Sequence, residues 1–160
     1  MATSLKNLSD QNTTGIADMS GFKFGIVVSE WNEEVTEALY SGTLETLLQL
    51  GANRENIERV DVPGSFELGL GAQWLAKRED IDAVITLGCV IQGETRHFDF
   101  ICDACANGIM NVGLKYDKPV IFGVLTTNTQ KQALDRAGGR HGNKGDEAAA
   151  TAVKMLSIKK

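Results

Sequence analysis

Two groups of side chains carry most of the chemistry this sequence could perform. The first lies in "GCVIQGETRHFDF", Gly88 to Phe100, where Thr95, Arg96 and His97 follow a glycine that permits close backbone approach. A histidine exchanges protons near neutral pH, and free amides beside a hydroxyl bind anions. The second group is Arg136, Arg140, His141 and Lys144 in "DRAGGRHGNK". Its arginines could grip a phosphate through their planar forks, and the same charges could simply cap the end of a helix. Cys102 and Cys105 spell C-x-x-C, a redox or zinc motif in other settings. Here the pair falls inside an apolar helical stripe, and the only histidines available as further ligands are His97 and His141, so packing is the expected role.

The first group sits where a strand gives way to a helix. "IDAVITLGCVI" is apolar almost throughout, as a strand covered on both faces must be. After Gly93, Phe98, Ile101, Cys102, Cys105, Ile109 and Val112 recur at helical spacing, which predicts a helix from about Thr95 to Leu114. Arg96 and His97 therefore occupy the positive pole of that helix, where a cation is disfavoured unless an anion offsets it. Thr95 also reads as the N-cap, and His97 taken alone reads as a surface histidine.

Other elements must hold this junction in place. "FKFGIVVSE" predicts a first strand, followed by Asn32 as N-cap of a helix reaching about Leu50, with Glu33 and Glu34 at its favourable end. "GANRENIERVDVPG" is a loop and second strand, and Ser65 caps the helix of "SFELGLGAQWLAKRE". "KPVIFGVLTT" is the fourth strand, "TQKQALDRAGG" a helix stopping at Gly138-Gly139, and "GNKGDEAAATAVKML" the last helix. Four alternations of strand and helix predict an α/β domain with a central parallel sheet between helix layers. Ligands of such sheets gather at the C-terminal strand ends, here "SEWN", "VPGSFE", "CVIQGETRH" and "VLTTN". Glu30, Glu33 and Glu34 would repel a phosphate from the first of these, so the third is the expected anion site. "GLGAQW" and "GGRHGNKG" lack the spacing and context of dinucleotide and P-loop motifs.

Composition narrows the field. A chain of 160 residues with 42% hydrophobic content suits one soluble domain. Its net charge of −5 disfavours nucleic acid and anionic membranes as partners. No run approaches the roughly 18 apolar residues of a membrane span. Residues 1–21 are polar, lack a signal-like apolar core, and read as a flexible arm joined at Gly21 to a domain over 22–160. Three cysteines without an export signal suggest reduced thiols in the cytoplasm.

Taken together, "SEWNEEVTEALYSG", "VPGSFEL", "GCVIQGETRHFDF", "PVIFGVLTTNT" and "QALDRAGGRHGNKGDEAAATA", in that order, resemble the lumazine synthase family over about Phe22 to Leu156. The resemblance implies a three-layer, flavodoxin-like sandwich with a four-stranded parallel sheet. It implies condensation of 5-amino-6-(D-ribitylamino)uracil with 3,4-dihydroxy-2-butanone 4-phosphate, the penultimate step of riboflavin biosynthesis, without cofactor or metal. By resemblance Trp31 stacks on the pyrimidine, Asn32, Ser65, Phe66 and Glu67 lie along the ribityl chain and ring, and Cys89, Val90 and Ile91 line the heterocycle. Glu94 and Thr95 match the phosphate-binding pair, Arg136 the phosphate-gripping arginine, and His97 the proton donor. Phe122 and Arg136 match residues supplied by a neighbouring subunit. The family's usual aromatic at position 31 is phenylalanine, so tryptophan here adds bulk and points towards flavin-like tricyclic ligands. Homopentamers, sixty-subunit shells and a partnership with riboflavin synthase are further family expectations, and the short "AGGRHGNKG" break favours a shell.

Overall fold

The computed structural model describes residues 6–12 and 14–158; the remainder of the expected N-terminal arm and the last two residues lie outside the described residues. Four strands, β1 (Phe24–Ser29), β2 (Ile57–Val62), β3 (Ala83–Ile91) and β4 (Val120–Thr127), form one parallel sheet in the order β2-β1-β3-β4. Helices α1 (Glu33–Gln49) and α5 (Lys144–Ile158) cover one face, and α2 (Leu68–Ala76) and α3 (His97–Tyr116) the other. This is the expected three-layer flavodoxin-like sandwich.

The period-two alternation of β1 explains why both faces are covered. Phe24, Ile26 and Val28 point into the core beneath α1 and α5, whereas Val27 points into the core beneath α2 and α3. All six residues of β1 are buried, and so are the first seven of β3, Ala83 to Cys89. Burying a side chain such as Phe24 or Ile85 contributes about 1.5–3 kcal/mol, so these two strands anchor the sheet. The order of strands reverses between β1 and β3. Their C-terminal ends therefore splay connections to opposite sides and leave a crevice.

The second half departs from the sequence expectation. The helix expected over "TQKQALDRAGG" is only α4 (Gln130–Leu134), capped by Thr129, whose Oγ1 accepts from Gln132 N–H at 3.2 Å. The chain then pairs with itself as a short antiparallel hairpin, β5 (Ala137–Gly139) with β6 (Gly142–Asn143). Gly138 at φ 104° and Gly142 at φ 79° supply backbone conformations that a helix cannot contain. Ahead of β1, Met19 is fully buried in the core, and Ala17 N–H donates to Ser157 Oγ at 3.4 Å.

Candidate active site

At the crevice between β1 and β3 lies a cavity of about 650 Å³. The loop after β1 contributes Trp31 and Asn32, and the turn after β2 contributes Gly64 to Glu67. The end of β3 contributes Cys89, Val90 and Ile91, and the start of α3 contributes Thr95, His97, Phe98 and Ile101.

Asn32 organises the first wall. It sits in the left-handed region at φ 64°, a conformation asparagine tolerates better than most residues. Its backbone carbonyl accepts from Val35 N–H at 2.9 Å and Thr36 N–H at 3.1 Å, so it occupies the N-cap position of α1 as expected. Its side chain, however, makes no cap; Nδ2 donates to the Cys89 carbonyl at 2.8 Å and ties the β1 end to β3. The same turn leaves the Trp31 ring 73% exposed at the cavity mouth, while Trp31 N–H donates to Pro63 O at 3.2 Å.

Ser65 also differs from its expected capping role. Residues Ser65–Glu67 form a tight 3₁₀ turn before α2, and no side-chain cap is made there. The Ser65 hydroxyl is buried with no hydrogen-bond partner among the described residues. It lies against Gly88, where a Cβ would come within 2.7 Å of Ser65 Oγ and 2.8 Å of Leu68 Cδ1. Phe66 stands exposed beside it, so two aromatic rings flank the opening.

The opposite wall is the start of α3. Helix α3 starts at His97, two residues later than expected, with Arg96 in the N-cap position. Thr95 Oγ1 accepts from His97 N–H at 3.4 Å, a long bond that leaves the hydroxyl lining the cavity. Arg96 pairs with Asp99 at 3.2 Å, and that carboxylate offsets the cation at the helix pole. Cys89 is buried, and its thiol is pushed up to about 12 by desolvation, so it is a wall and not a nucleophile at neutral pH. Burial raises Cys102 and Cys105 likewise, with Cys105 reaching about 12, as expected of packing residues in mid-helix. Among the described residues no three His, Cys, Asp or Glu side chains converge as a metal site.

Of the expected site residues, Trp31, Asn32, Ser65, Phe66, Glu67, Cys89, Val90, Ile91, Thr95 and His97 line this one cavity. Glu94 is an exposed neighbour that does not line it. Phe122 and Arg136 do not line it either. Phe122 lies on β4 and lines a second cavity of about 770 Å³ between α3, β4 and α5. Arg136 Nη1 donates to Gln132 O at 3.0 Å, so within one chain it caps α4. The second basic group is split: Arg140 lies 3.3 Å from the His141 ring, whereas Lys144 forms a largely buried pair with Glu147 at 3.0 Å in the second cavity. Sequence reasoning groups Lys144 with its basic chain neighbours and so misses that pair; the i,i+3 spacing to Glu147 is the signal that could have found it. Phe98 and Ile101 carry the helical spacing of core residues, and their place near the start of α3, at the C-terminal end of the sheet, is the cue that they also line the cavity.

A sequence profile described as 6,7-dimethyl-8-ribityllumazine synthase matches residues 21–160. Similar proteins named 6,7-dimethyl-8-ribityllumazine synthase occur in Cytophaga hutchinsonii, 63% identical over 98% of this chain and 98% of that one, and in Parabacteroides distasonis, 52% identical over 99% of both. A third, from Flavobacterium johnsoniae, is 51% identical over 99% of this chain and 84% of its own length. The chain belongs to the 6,7-dimethyl-8-ribityllumazine synthase family.

Proposed function

We propose that this enzyme is a transferase that condenses 5-amino-6-(D-ribitylamino)uracil with 3,4-dihydroxy-2-butanone 4-phosphate, giving 6,7-dimethyl-8-ribityllumazine, phosphate and water. One observation carries the reading. An exposed indole, a tethered strand end and a helix start bearing His97 all face one cavity at the switch point of a parallel sheet. An aromatic face suits a flat heterocycle, and the helix start suits an anion.

In this reading the pyrimidine stacks on Trp31, with Asn32, Ser65, Phe66 and Glu67 along its ribityl chain and Cys89, Val90 and Ile91 against the ring. Glu94, Thr95 and Arg136 hold the phosphate. The amine attacks the ketone to form an imine with loss of water, phosphate leaves by elimination, and tautomerisation prepares ring closure, in which the ribityl-bearing nitrogen adds to the remaining carbonyl and a further water leaves. His97 gives and takes the protons of these steps near neutral pH. Holding two substrates together contributes up to about 7–11 kcal/mol of the barrier reduction.

Phe122 and Arg136 act in this scheme on the cavity of a neighbouring copy, which requires a homo-oligomer, a pentamer or a sixty-subunit shell of pentamers, with riboflavin synthase as a further partner. What supports the shared site is that neither residue lines the cavity of its own chain. Three free cysteines and family membership support a cytoplasmic enzyme. A flavin-binding module is the second reading, favoured by the tryptophan at the mouth.

Purified protein mixed with both substrates should produce the lumazine chromophore; flavin retention without turnover would instead support the binder. Mixed assemblies of His97→Ala and Arg136→Ala subunits should regain activity if the site is shared. No recovery in proven mixed assemblies places it within one chain.

A further inference from the structure

The N-terminal segment makes a contact that the proposed chemistry does not use. Leu8 N–H donates to His141 O at 2.7 Å, and Asn143 N–H donates to Ser9 Oγ at 2.9 Å. Both partners belong to the β5/β6 hairpin. The approach is closest at Gly142, where a Cβ would come within 2.7 Å of Ser9 N and 2.9 Å of Leu8 N. Only glycine allows the segment to lie this close.

The other side of the hairpin leads to Arg136. Lys144 N–H donates to Arg136 O at 2.8 Å, and His141 N–H donates to Asp135 O at 2.7 Å. Asn143 is fixed further by its side chain, which donates to Ala38 O at 2.9 Å and accepts from Gly145 N–H at 2.8 Å. The two residues gripped by the segment are therefore each close, through one backbone bond, to the stretch that carries Arg136. A two-stranded ribbon this short has little stability of its own, so what holds it from outside decides its order.

We propose that Leu8 and Ser9 form a strap whose role is to position Arg136 through the hairpin. The inference rests on the reading of Arg136 as a phosphate-binding residue. A guanidinium that grips phosphate through paired hydrogen bonds depends on a fixed orientation, and a loosened hairpin would lose it.

The test compares the full chain with a deletion of residues 2–12 that keeps Met19, and with the double variant Leu8→Pro/Ser9→Ala, which removes one donor and one acceptor. Ser9→Thr retains the hydroxyl. Hydrogen exchange of the His141 and Asn143 amides should quicken about tenfold in the deletion and the double variant. The KM for the phosphate-bearing ketone should rise about three- to tenfold, with kcat and the KM of the amine partner within about twofold and Ser9→Thr like the parent. Unchanged exchange would mean there is no strap. Faster exchange with unchanged KM, or equal loss towards both substrates, would mean the strap does not position Arg136. Arg136→Ala in the full chain separates the two claims: an unaltered KM for the ketone removes the phosphate reading itself, whatever the exchange data show.

Discussion

The cavity at the strand ends and the groove along β4 are similar in size, about 650 and 770 Å³, yet they are built differently. The first collects polar groups from separate connections, because every parallel strand delivers its following loop to the same end. The second follows the edge of the sheet, where β4 has a neighbour on one side only. It is lined by Met110, Leu114, Val120, Met155 and Ile158, with the Lys144–Glu147 pair, Asp117 and Lys118 as its charged residues. Chemistry gathers where the strands end, and apolar surface gathers where the sheet ends. Under the proposed shared site the contrast has a purpose: the groove of one copy presents Phe122 to the cavity of the next.

The sharpest way to break this contrast is at His97. His97→Ala should lower kcat by about 10²–10⁴-fold with little change in folding, since the residue is exposed. Turnover within a few-fold of the parent would take proton transfer out of the cavity. In the groove the expected damage is to stability instead. Glu147→Leu leaves a largely buried ammonium on Lys144 without its carboxylate, which should cost about 3–5 kcal/mol in urea unfolding; a loss under about 1 kcal/mol would show that the pair is solvated. Gly88→Ala should cost about 1–3 kcal/mol, because the new methyl meets Ser65 Oγ and Leu68 Cδ1, and the shift of Ser65 should also weaken substrate binding. An unchanged KM would separate Ser65 from the site.

The smallest effect lies away from both cavities. Asp80 is held at about 2 by the hydrogen bonds it accepts from Arg78, and Glu37 is lowered by those it accepts from Arg59. Folded carboxyls with depressed values bind fewer protons than their unfolded counterparts. The contribution of Asp80 is therefore present above about pH 4 and fades as pH falls towards 2, and that of Glu37 is lost in the same direction. Both pairs are solvent-screened, so a urea midpoint followed from pH 5 to 2 should drift only slightly on their account, and less in high salt.

The helix start in the first cavity was legible in the sequence because its parts are local. A strand that is apolar on both faces, a breaking glycine and a helical stripe fix the position of His97 from a single stretch of residues. The features that stayed hidden depend on where the folded chain turns a side chain or a loop, which residue type alone does not specify. Asn32 has the composition of a cap, but its side chain turns to Cys89, 57 residues later. Lys144 sits among basic neighbours, but the fold turns it towards Glu147 and the groove. The hairpin reads as a helix end because Gly138-Gly139 signals a break without specifying the structure beyond it. Its form is set by self-pairing and by contacts to Leu8 and Ser9.

The turn at Asn32 also constrains how this protein can drift. Glycine could adopt the same backbone but would lose the tie to Cys89, and a β-branched residue could supply neither. In a saturation library at this codon, selection for solubility alone should retain asparagine, aspartate and glycine. Selection for product formation should retain asparagine, so the two screens would separate the demands of chain reversal from those of the reaction.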